Sequence, residues 1–289
     1  MTRVAAIDLG TNATRLLVAD VDGGDVVEIV RRTRITRLGE GVDARRRLLP
    51  LPIARVRNAL TDFRREVETL GAGPVLAVAT SAVRDAENGE AFLGEVEWSY
   101  GFATRLLSGA EEAALTLLGV GPLDPGTLVT DIGGGSTELV SPEFIRSIDI
   151  GSVRLTERFG DDLDAAAAAI RTAIPPVPTD VQALLGVDGT TAELAALHGA
   201  PSLTPADVDL ELARLAALPD PARRELLIEP NRSGVIVMGA LILRELLRTL
   251  GATRVDAGRR DLLSGAVLEA AALASPGEGP APAGAYTCC

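Results

Sequence analysis

Asp8-Leu9-Gly10-Thr11-Asn12-Ala13-Thr14-Arg15-Leu16-Leu17 lies over Asp131-Ile132-Gly133-Gly134-Gly135-Ser136-Thr137-Glu138-Leu139-Val140 without a gap. Asp, Gly and Thr are identical at their positions, as is the first of the two trailing aliphatics. Each copy reads as a strand, an Asp-aliphatic-Gly turn and a second strand. A weaker echo pairs Ile35-Thr36-Arg37-Leu38-Gly39-Glu40 with Ser152-Val153-Arg154-Leu155-Thr156-Glu157. An internal duplication of this kind predicts two α/β units of like fold sharing a central cleft.

The turns themselves carry chemistry. A strand that ends in Asp-x-Gly and runs into small residues leaves backbone N–H groups pointing outward with no Cβ in the way, and such a nest binds anions, phosphate above all. Gly133-Gly134-Gly135 alone would equally suit a flexible hairpin. Two gapless copies, each with a strand-end carboxylate, favour a clamp that grips a phosphate chain from both sides. Asp8 and Asp131 then stand where a divalent metal, which prefers hard oxygen ligands, would be held.

Apolar runs alternating with longer amphipathic stretches extend the α/β pattern along the chain. Strands are expected at Val4–Asp8, Thr14–Val21 and Val26–Arg32, the last two joined by Asp22-Gly23-Gly24-Asp25. From Pro52, apolar Ile53, Val56, Leu60, Phe63, Val67 and Leu70 step by three and four until Gly71 stops the helix. Val75–Ala79 and Phe102–Leu107 read as strands, Ser81–Phe92 and Gly109–Leu118 as helices. The breakers of Gly121-Pro122-Leu123-Asp124-Pro125-Gly126 mark a boundary. Strands then restart at Thr127–Asp131, Ser136–Ser141 and Phe144–Ile150. Further helices are expected at Thr179–Leu185, Pro205–Leu218, Arg232–Leu250 and Arg259–Ala272. The units are therefore placed at 1–122 and 123–274, followed by a Pro/Gly/Ala-rich tail, 275–289, expected to be disordered.

Outside the turns, several residues admit two readings. Arg84, where a strand gives way to a helix N-terminus, suits an anion site, yet Thr80 or Ser81 as N-cap with a surface Arg84 explains the same residues. Ser108 and Glu111 form a capping box. Glu112 has no such assignment: it is either a carboxylate that orients and deprotonates water or an acid favoured near a helix N-terminus. Seven arginines between Arg31 and Arg47 are either a solvated face or an anion-guiding patch. His198 is the only histidine, which argues against a His-based triad or a His-rich metal site. Arg259-Arg260-Asp261 reads as a helix start.

The composition excludes other classes. A net charge of -12 argues against binding nucleic-acid duplexes, and 3% aromatic content against a base-stacking binder. No apolar run reaches the ~20 residues of a membrane helix. With no signal-peptide pattern, and cysteine confined to Cys288-Cys289, no disulfide framework is expected and the cytoplasm is the expected location.

In order along the chain, Asp8-Leu9-Gly10-Thr11-Asn12, Ala79-Thr80-Ser81-Ala82-Val83-Arg84, Ser108-Gly109-Ala110-Glu111-Glu112-Ala113, Asp131 to Glu138 and Gly151-Ser152-Val153-Arg154-Leu155-Thr156-Glu157 resemble the exopolyphosphatase/guanosine pentaphosphate phosphohydrolase (Ppx/GppA) family. The resemblance is dense over residues 1–160 and thinner beyond. It implies two ribonuclease-H-like domains of the actin/Hsp70/sugar-kinase superfamily with the site in the interdomain cleft. It also implies Mg²⁺-dependent release of terminal phosphate from inorganic polyphosphate, or conversion of guanosine pentaphosphate, and a homodimer is a further expectation. By position, Glu112 resembles the catalytic carboxylate, Glu138 a supporting acid and Asp131 the metal-binding aspartate. Gly10, Thr11, Asn12 and Gly133, Gly134, Gly135, Ser136, Thr137 resemble the phosphate loops, while Arg84 and Asn88 fall where the family holds phosphate. The chain departs from the pattern at Asp188, where a small residue is usual, and at Gly258-Arg259-Arg260-Asp261. A non-catalytic sensor of polyphosphate or nucleotide is a competing reading. A kinase is another, though Gly234 and Gly239 stand too far apart to be its adjacent nucleotide-binding glycines.

Overall fold

The computed structural model describes residues 1–178 and 180–274. The expected disordered tail and the Cys288-Cys289 pair lie outside the described residues.

Val4 and Ala6 are buried on one side of the first strand and Ala5, Ile7 and Leu9 on the other, so this strand has a core on each face. It is β1 (Thr2–Leu9), followed by β2 (Ala13–Asp22), β3 (Asp25–Ile35), β4 (Val75–Ala79) and β5 (Ala103–Leu106). These form a sheet of order β3-β2-β1-β4-β5, antiparallel through β1, β2 and β3, with β4 and β5 parallel to β1. The second sheet takes β6 (Thr127–Ile132), β7 (Thr137–Ser141), β8 (Phe144–Ile148), β9 (Ala183–Gly186), β10 (Ser202–Leu203) and β11 (Arg254–Ala257). Its order, β10-β11-β9-β6-β7-β8, repeats the first, three antiparallel strands and then two parallel ones on the other side of the opening strand, and adds β10 antiparallel at the edge. Each sheet has the wind of a ribonuclease-H-like domain, so the two-domain α/β architecture expected from the resemblance is the one observed.

The helices of the first half are α1 (Val42–Arg45), α2 (Pro50–Leu70), α3 (Ser81–Arg84), α4 (Gly89–Tyr100) and α5 (Gly109–Val120). Those of the second are α6 (Ser152–Phe159), α7 (Leu163–Ala173), α8 (Gly189–His198), α9 (Pro205–Ala217), α10 (Asp220–Leu226), α11 (Ile236–Leu250) and α12 (Leu262–Ala274). In α2 the stripe Val56, Leu60, Phe63 and Val67 is buried against the first sheet, and Gly71 ends the helix at φ 64°. Each such side chain contributes about 2 kcal/mol of burial.

Three expectations change. The single helix over Ser81–Phe92 is two: it breaks after Arg84 and restarts at Gly89, where a Cβ would sit 2.0 Å from the Val83 carbonyl oxygen. The helix expected at Thr179–Leu185 is absent from its described residues. Ala183–Gly186 is instead β9, flanked by β6 and β11, because a short apolar run has no period of its own and the sheet decides it. The last helix starts at Leu262 rather than Arg259 and packs on the first sheet, with Leu263, Ala266, Val267 and Ala270 against Val4, Ala6, Leu17 and Val78. It crosses α5 at backbone distance: a Cβ on Gly265 would lie 2.0 Å from the Leu115 oxygen, and one on Gly119 2.2 Å from that of Asp261. This crossing carries Asp261 to the centre of the molecule.

Candidate active site

The two Asp-aliphatic-Gly turns fold alike. Gly10 N–H donates to the Ala13 carbonyl at 3.0 Å, and Gly133 N–H to that of Ser136 at 2.9 Å. Across the strands that follow, Asp8 is paired with Arg15 and Asp131 with Glu138, the register the gapless repeat requires. The turns face each other closely. A Cβ on Gly134 would lie 2.8 Å from Thr11 Cβ, and one on Gly135 2.3 Å from Ser81 Oγ. Both glycines are needed for this approach.

Helix α6 holds the second turn from behind. The N–H groups of Ser152 and Val153 donate to the Gly133 and Gly134 carbonyls, both at 2.9 Å, so those oxygens point away from the cleft. The N–H groups of Thr11, Asn12, Gly134 and Gly135 donate to no described residue. Between the turns lies a narrow cleft of about 70 Å³, lined by Asp8, Gly10, Thr11, Asn12, Glu112, Asp131 and Gly133 to Ser136.

Glu112 follows the capping box read from the sequence, in which Glu111 Oε2 accepts the Ser108 N–H at 2.8 Å. That box orients the first turn of α5 and leaves Glu112 on its inward side, 7% exposed. Arg84, donating to the Leu107 carbonyl at 2.6 Å, reaches Glu112 Oε2 at 3.3 Å. Burial pushes the Glu112 carboxyl well above its usual range; Glu138 adds to this and Arg84 opposes it. Burial likewise raises Asp131 well above normal, against the pull of Arg15 and with added repulsion from Asp188, Glu112 and Asp261. Glu138, the cross-strand neighbour of Asp131, accepts from Ser147 Oγ at 2.7 Å; burial and then Asp131 lift its pKa to about 8.

Other expected residues lie elsewhere. Thr137 is buried, its hydroxyl donating to the Ile150 carbonyl. Asn88 is not in the cleft: its amide oxygen accepts from Leu48 N–H at 2.8 Å and its amide nitrogen donates to the Leu48 carbonyl at 3.1 Å. A helix break between α3 and α4, invisible as a pattern, turns it to this backbone task.

Four residues of the site were not singled out by the sequence as its members. Arg15 pairs with Asp8 at 2.8 Å and with Asp261 at 2.8 Å, a contact spanning 246 residues; Arg31 joins at Asp261 at 3.0 Å. Burial alone would weaken the hold of Arg15 on its proton, but Asp8, Asp261 and Asp131 outweigh it. Asp188 lines the cleft as the N-cap of α8, accepting from Thr191 N–H at 2.8 Å, with burial raising its pKa. Arg232 lines it too, beside Gly189, where a Cβ would meet the guanidinium at 2.2 Å. The repeat held one signal for this set, since it superimposes Arg15 on Glu138.

Carboxylates outnumber cations in this space. The buried Asp8 Oδ1 has no partner, and the Asp131 carboxylate accepts no hydrogen bond among the described residues. Oxygen donors of this kind suit a hard divalent cation. Among the described residues no group of three or more His, Cys, Asp or Glu side chains is close enough to hold a metal by itself. Protein oxygens would therefore supply only part of a coordination sphere.

The two units are clasped over the cleft by α6. Arg154, 8% exposed, donates to the Gly135 carbonyl at 2.7 Å, to Ser81 Oγ at 3.3 Å and to both Asp43 and Asp85. Arg158 joins Asp43 at 2.6 Å, and Gly41 N–H donates to Glu157 at 2.9 Å. Replacing Arg154 by Met leaves Asp85 without its ion-pair partner and frees the loop carbonyl, while Asp43 keeps Arg158; such a loss costs about 3 kcal/mol. Denaturant titration should show that fall, accompanied by a raised KM. A variant of wild-type stability would show that the clasp contributes nothing.

Comparison with known proteins places this geometry. Residues 17–270 match the model of the Ppx/GppA phosphatase family. Exopolyphosphatase 2 of Mycobacterium tuberculosis (strain ATCC 25618 / H37Rv) is 37% identical over 318 aligned positions, covering 94% of this chain and 99% of that protein. A solved exopolyphosphatase-like protein superposes with TM-score 0.87 at 30% identity, covering 95% of this chain and 99% of that one. A Ppx/GppA family member from Aquifex aeolicus superposes with TM-score 0.73 at 25% identity, over 95% and 99% of the two chains. Among the described residues no helix is long and apolar enough to cross a membrane.

Proposed function

The chain belongs to the Ppx/GppA phosphatase family, and from that premise we propose that it is an exopolyphosphatase, hydrolysing the terminal phosphoanhydride bond of inorganic polyphosphate. The observation that carries this reading is the pair of glycine turns facing each other beside a buried Glu112. Unpaired N–H groups of Thr11, Asn12, Gly134 and Gly135 receive phosphoryl oxygens from both sides. Glu112 accepts a proton from water as the water oxygen bonds to the terminal phosphorus in line with the departing chain. The bond to the bridging oxygen breaks, and the shortened chain leaves with that oxygen.

Arg84 orients Glu112 and adds positive charge beside it, while Arg232 and Arg15, which line the cleft, supply fixed charge there. Phosphoryl transfer needs little beyond such positioning and electrostatic cover, so the lack of lysine is no obstacle. Mg²⁺ suits the partial oxygen set at Asp8 and Asp131, since it takes one or two carboxylates and completes its sphere with water and substrate phosphate. When bound it neutralises charge on the phosphate oxygens. Glu138, beside Asp131 on the next strand, holds a proton that limits the negative charge of this cluster. Cytoplasmic residence and a homodimer belong to the same proposal.

Release of inorganic phosphate from tripolyphosphate, long-chain polyphosphate and guanosine pentaphosphate, with Mg²⁺ present, tests the reading. Turnover of the two polyphosphates above that of the nucleotide is expected. Hydrolysis of the nucleotide alone would move the assignment to a guanosine pentaphosphate phosphohydrolase. Tight binding of polyphosphate without phosphate release would make the protein a sensor.

A further inference from the structure

Arg232 reaches the cleft from a stretch of chain with little packing to hold it. Between α10 and α11 the backbone runs through Leu227, Ile228 and Glu229 into a single 3₁₀ turn, Pro230–Arg232. Leu227 is buried, but Ile228 is 75% exposed, so apolar packing stops one residue into the segment. What holds the chain next is a carboxylate from another element. Glu193, 4% exposed and one turn into α8, accepts the Ile228 N–H at 2.9 Å on one oxygen and the Glu229 N–H at 2.8 Å on the other. Two backbone donors on the two oxygens of one carboxylate fix direction as well as position.

The same helix meets the far end of the Arg232 side chain. Gly189 stands four residues before Glu193, on the same face of α8, and its missing Cβ is what lets the guanidinium lie against the helix backbone. From Glu229 to Arg232 the path is short and stiff. Pro230 fixes its own φ, the Arg232 N–H donates to the Glu229 carbonyl at 2.9 Å, and Ser233 Oγ ties the end of the turn to Asp220 at 2.6 Å. The guanidinium itself forms no hydrogen bond or ion pair among the described residues. Burial and then Arg15 lower its pKa, against the pull of Asp188, Glu193 and Glu229.

A cation left without a salt bridge in a cleft lined by four carboxylates, Asp8, Glu112, Asp131 and Asp188, is held by the backbone beneath it. That backbone is anchored by Glu193, which is not part of the cleft wall. We propose that Glu193 is a positioning residue of this phosphatase: without touching substrate, it sets the place at which Arg232 meets a phosphoryl oxygen. A misplacement of about 1 Å at such a contact is enough to cost much of its effect. The inference rests on the hydrolase reading and deepens it, by naming the group through which α8 controls phosphate binding.

The test is a double-mutant cycle on Glu193→Ala and Arg232→Gln, read by equilibrium binding of tripolyphosphate and by kcat and KM. Arg232→Gln should weaken binding about tenfold, the equivalent of one charged contact, and Glu193→Ala should approach the same loss. The double variant should bind no more weakly than Arg232→Gln alone, because both changes remove one contact. KM should follow binding, with kcat changing far less. Glu193→Gln, which keeps one acceptor oxygen and the shape, should lose about threefold and serves if the Ala variant does not fold. Glu245→Gln is the control for a purely structural role: that carboxylate, equally buried on α11, holds Arg171 and Arg244, and its loss should lower the melting temperature without weakening binding. Wild-type binding in every folded Glu193 variant, an additive loss of about a hundredfold in the double variant, or an equal weakening in Glu245→Gln overturns the assignment. If wild type releases no phosphate while binding keeps the non-additive pattern, the positioning role stands and the hydrolase reading falls.

Discussion

Glu112→Gln is expected to lose about a thousandfold in turnover with little change in KM, within the range for removal of a general base. Gln keeps the shape and can still accept from Arg84, so the cleft and both glycine turns stay as they are; what goes is the ability to take a proton from water. The environment of Glu112 also sets the pH dependence. Burial, reinforced by Glu138 and opposed by Arg84, holds its carboxyl well above the usual range. The reactive form is the ionised one, so activity should rise with pH through an apparent pKa higher than that of a free glutamate. A bound divalent cation, favouring ionised carboxylates, should move that midpoint down. Steady-state kinetics against pH, at low and saturating Mg²⁺, measures both effects. Wild-type turnover in Glu112→Gln would remove this residue from the chemistry.

The second large effect concerns stability. Asp8, Glu112, Asp131, Glu138 and Asp188 all have raised pKa values, burial being the leading cause for each. An acid whose folded pKa exceeds its unfolded one binds its proton more tightly in the native state. It therefore supports folding fully below the unfolded pKa and loses that support as pH rises through the folded value. For Glu138 the window runs from its ordinary 4.5 to about 8. Protein stripped of divalent cations should melt about 5 °C lower at the top of this window than at its foot, the equivalent of ~2 kcal/mol in a chain of this size. Mg²⁺ should restore most of the loss at the upper end and do little at the lower, where the carboxyls are protonated. Glu138→Gln should flatten the profile. A melting temperature independent of pH without cation would mean these carboxylates are solvated, and with that the case for a cation here would fail.

Legibility in the sequence follows the range of the interactions. The turns at Gly10 and Gly133 were readable because the hydrogen bonds that close them span three residues. The stripe of α2 and the Ser108–Glu111 capping box are equally local. Asn88 lies away from the cleft because a break between two helices turns its amide toward Leu48. The strand Ala183–Gly186 is not legible within the helix expected at Thr179–Leu185, because four apolar residues carry no period until β6 and β11 flank them. Arg15 illustrates the middle case: the repeat superimposes it on Glu138, but nothing in the chain announces Asp261 as its partner.

What the sequence by itself determined is a pair of turns: two Asp-aliphatic-Gly segments whose short-range hydrogen bonding leaves backbone donors unpaired among the described residues. What only the tertiary structure decided is their apposition and the charge state of the space between them. Gly134 and Gly135 meet Thr11 and Ser81 across a gap, and the crossing of α5 with α12 delivers Asp261 to Arg15. The reason is physical: a turn closes within its own few residues, whereas desolvation and electric field at a buried carboxylate sum over every group the fold brings near.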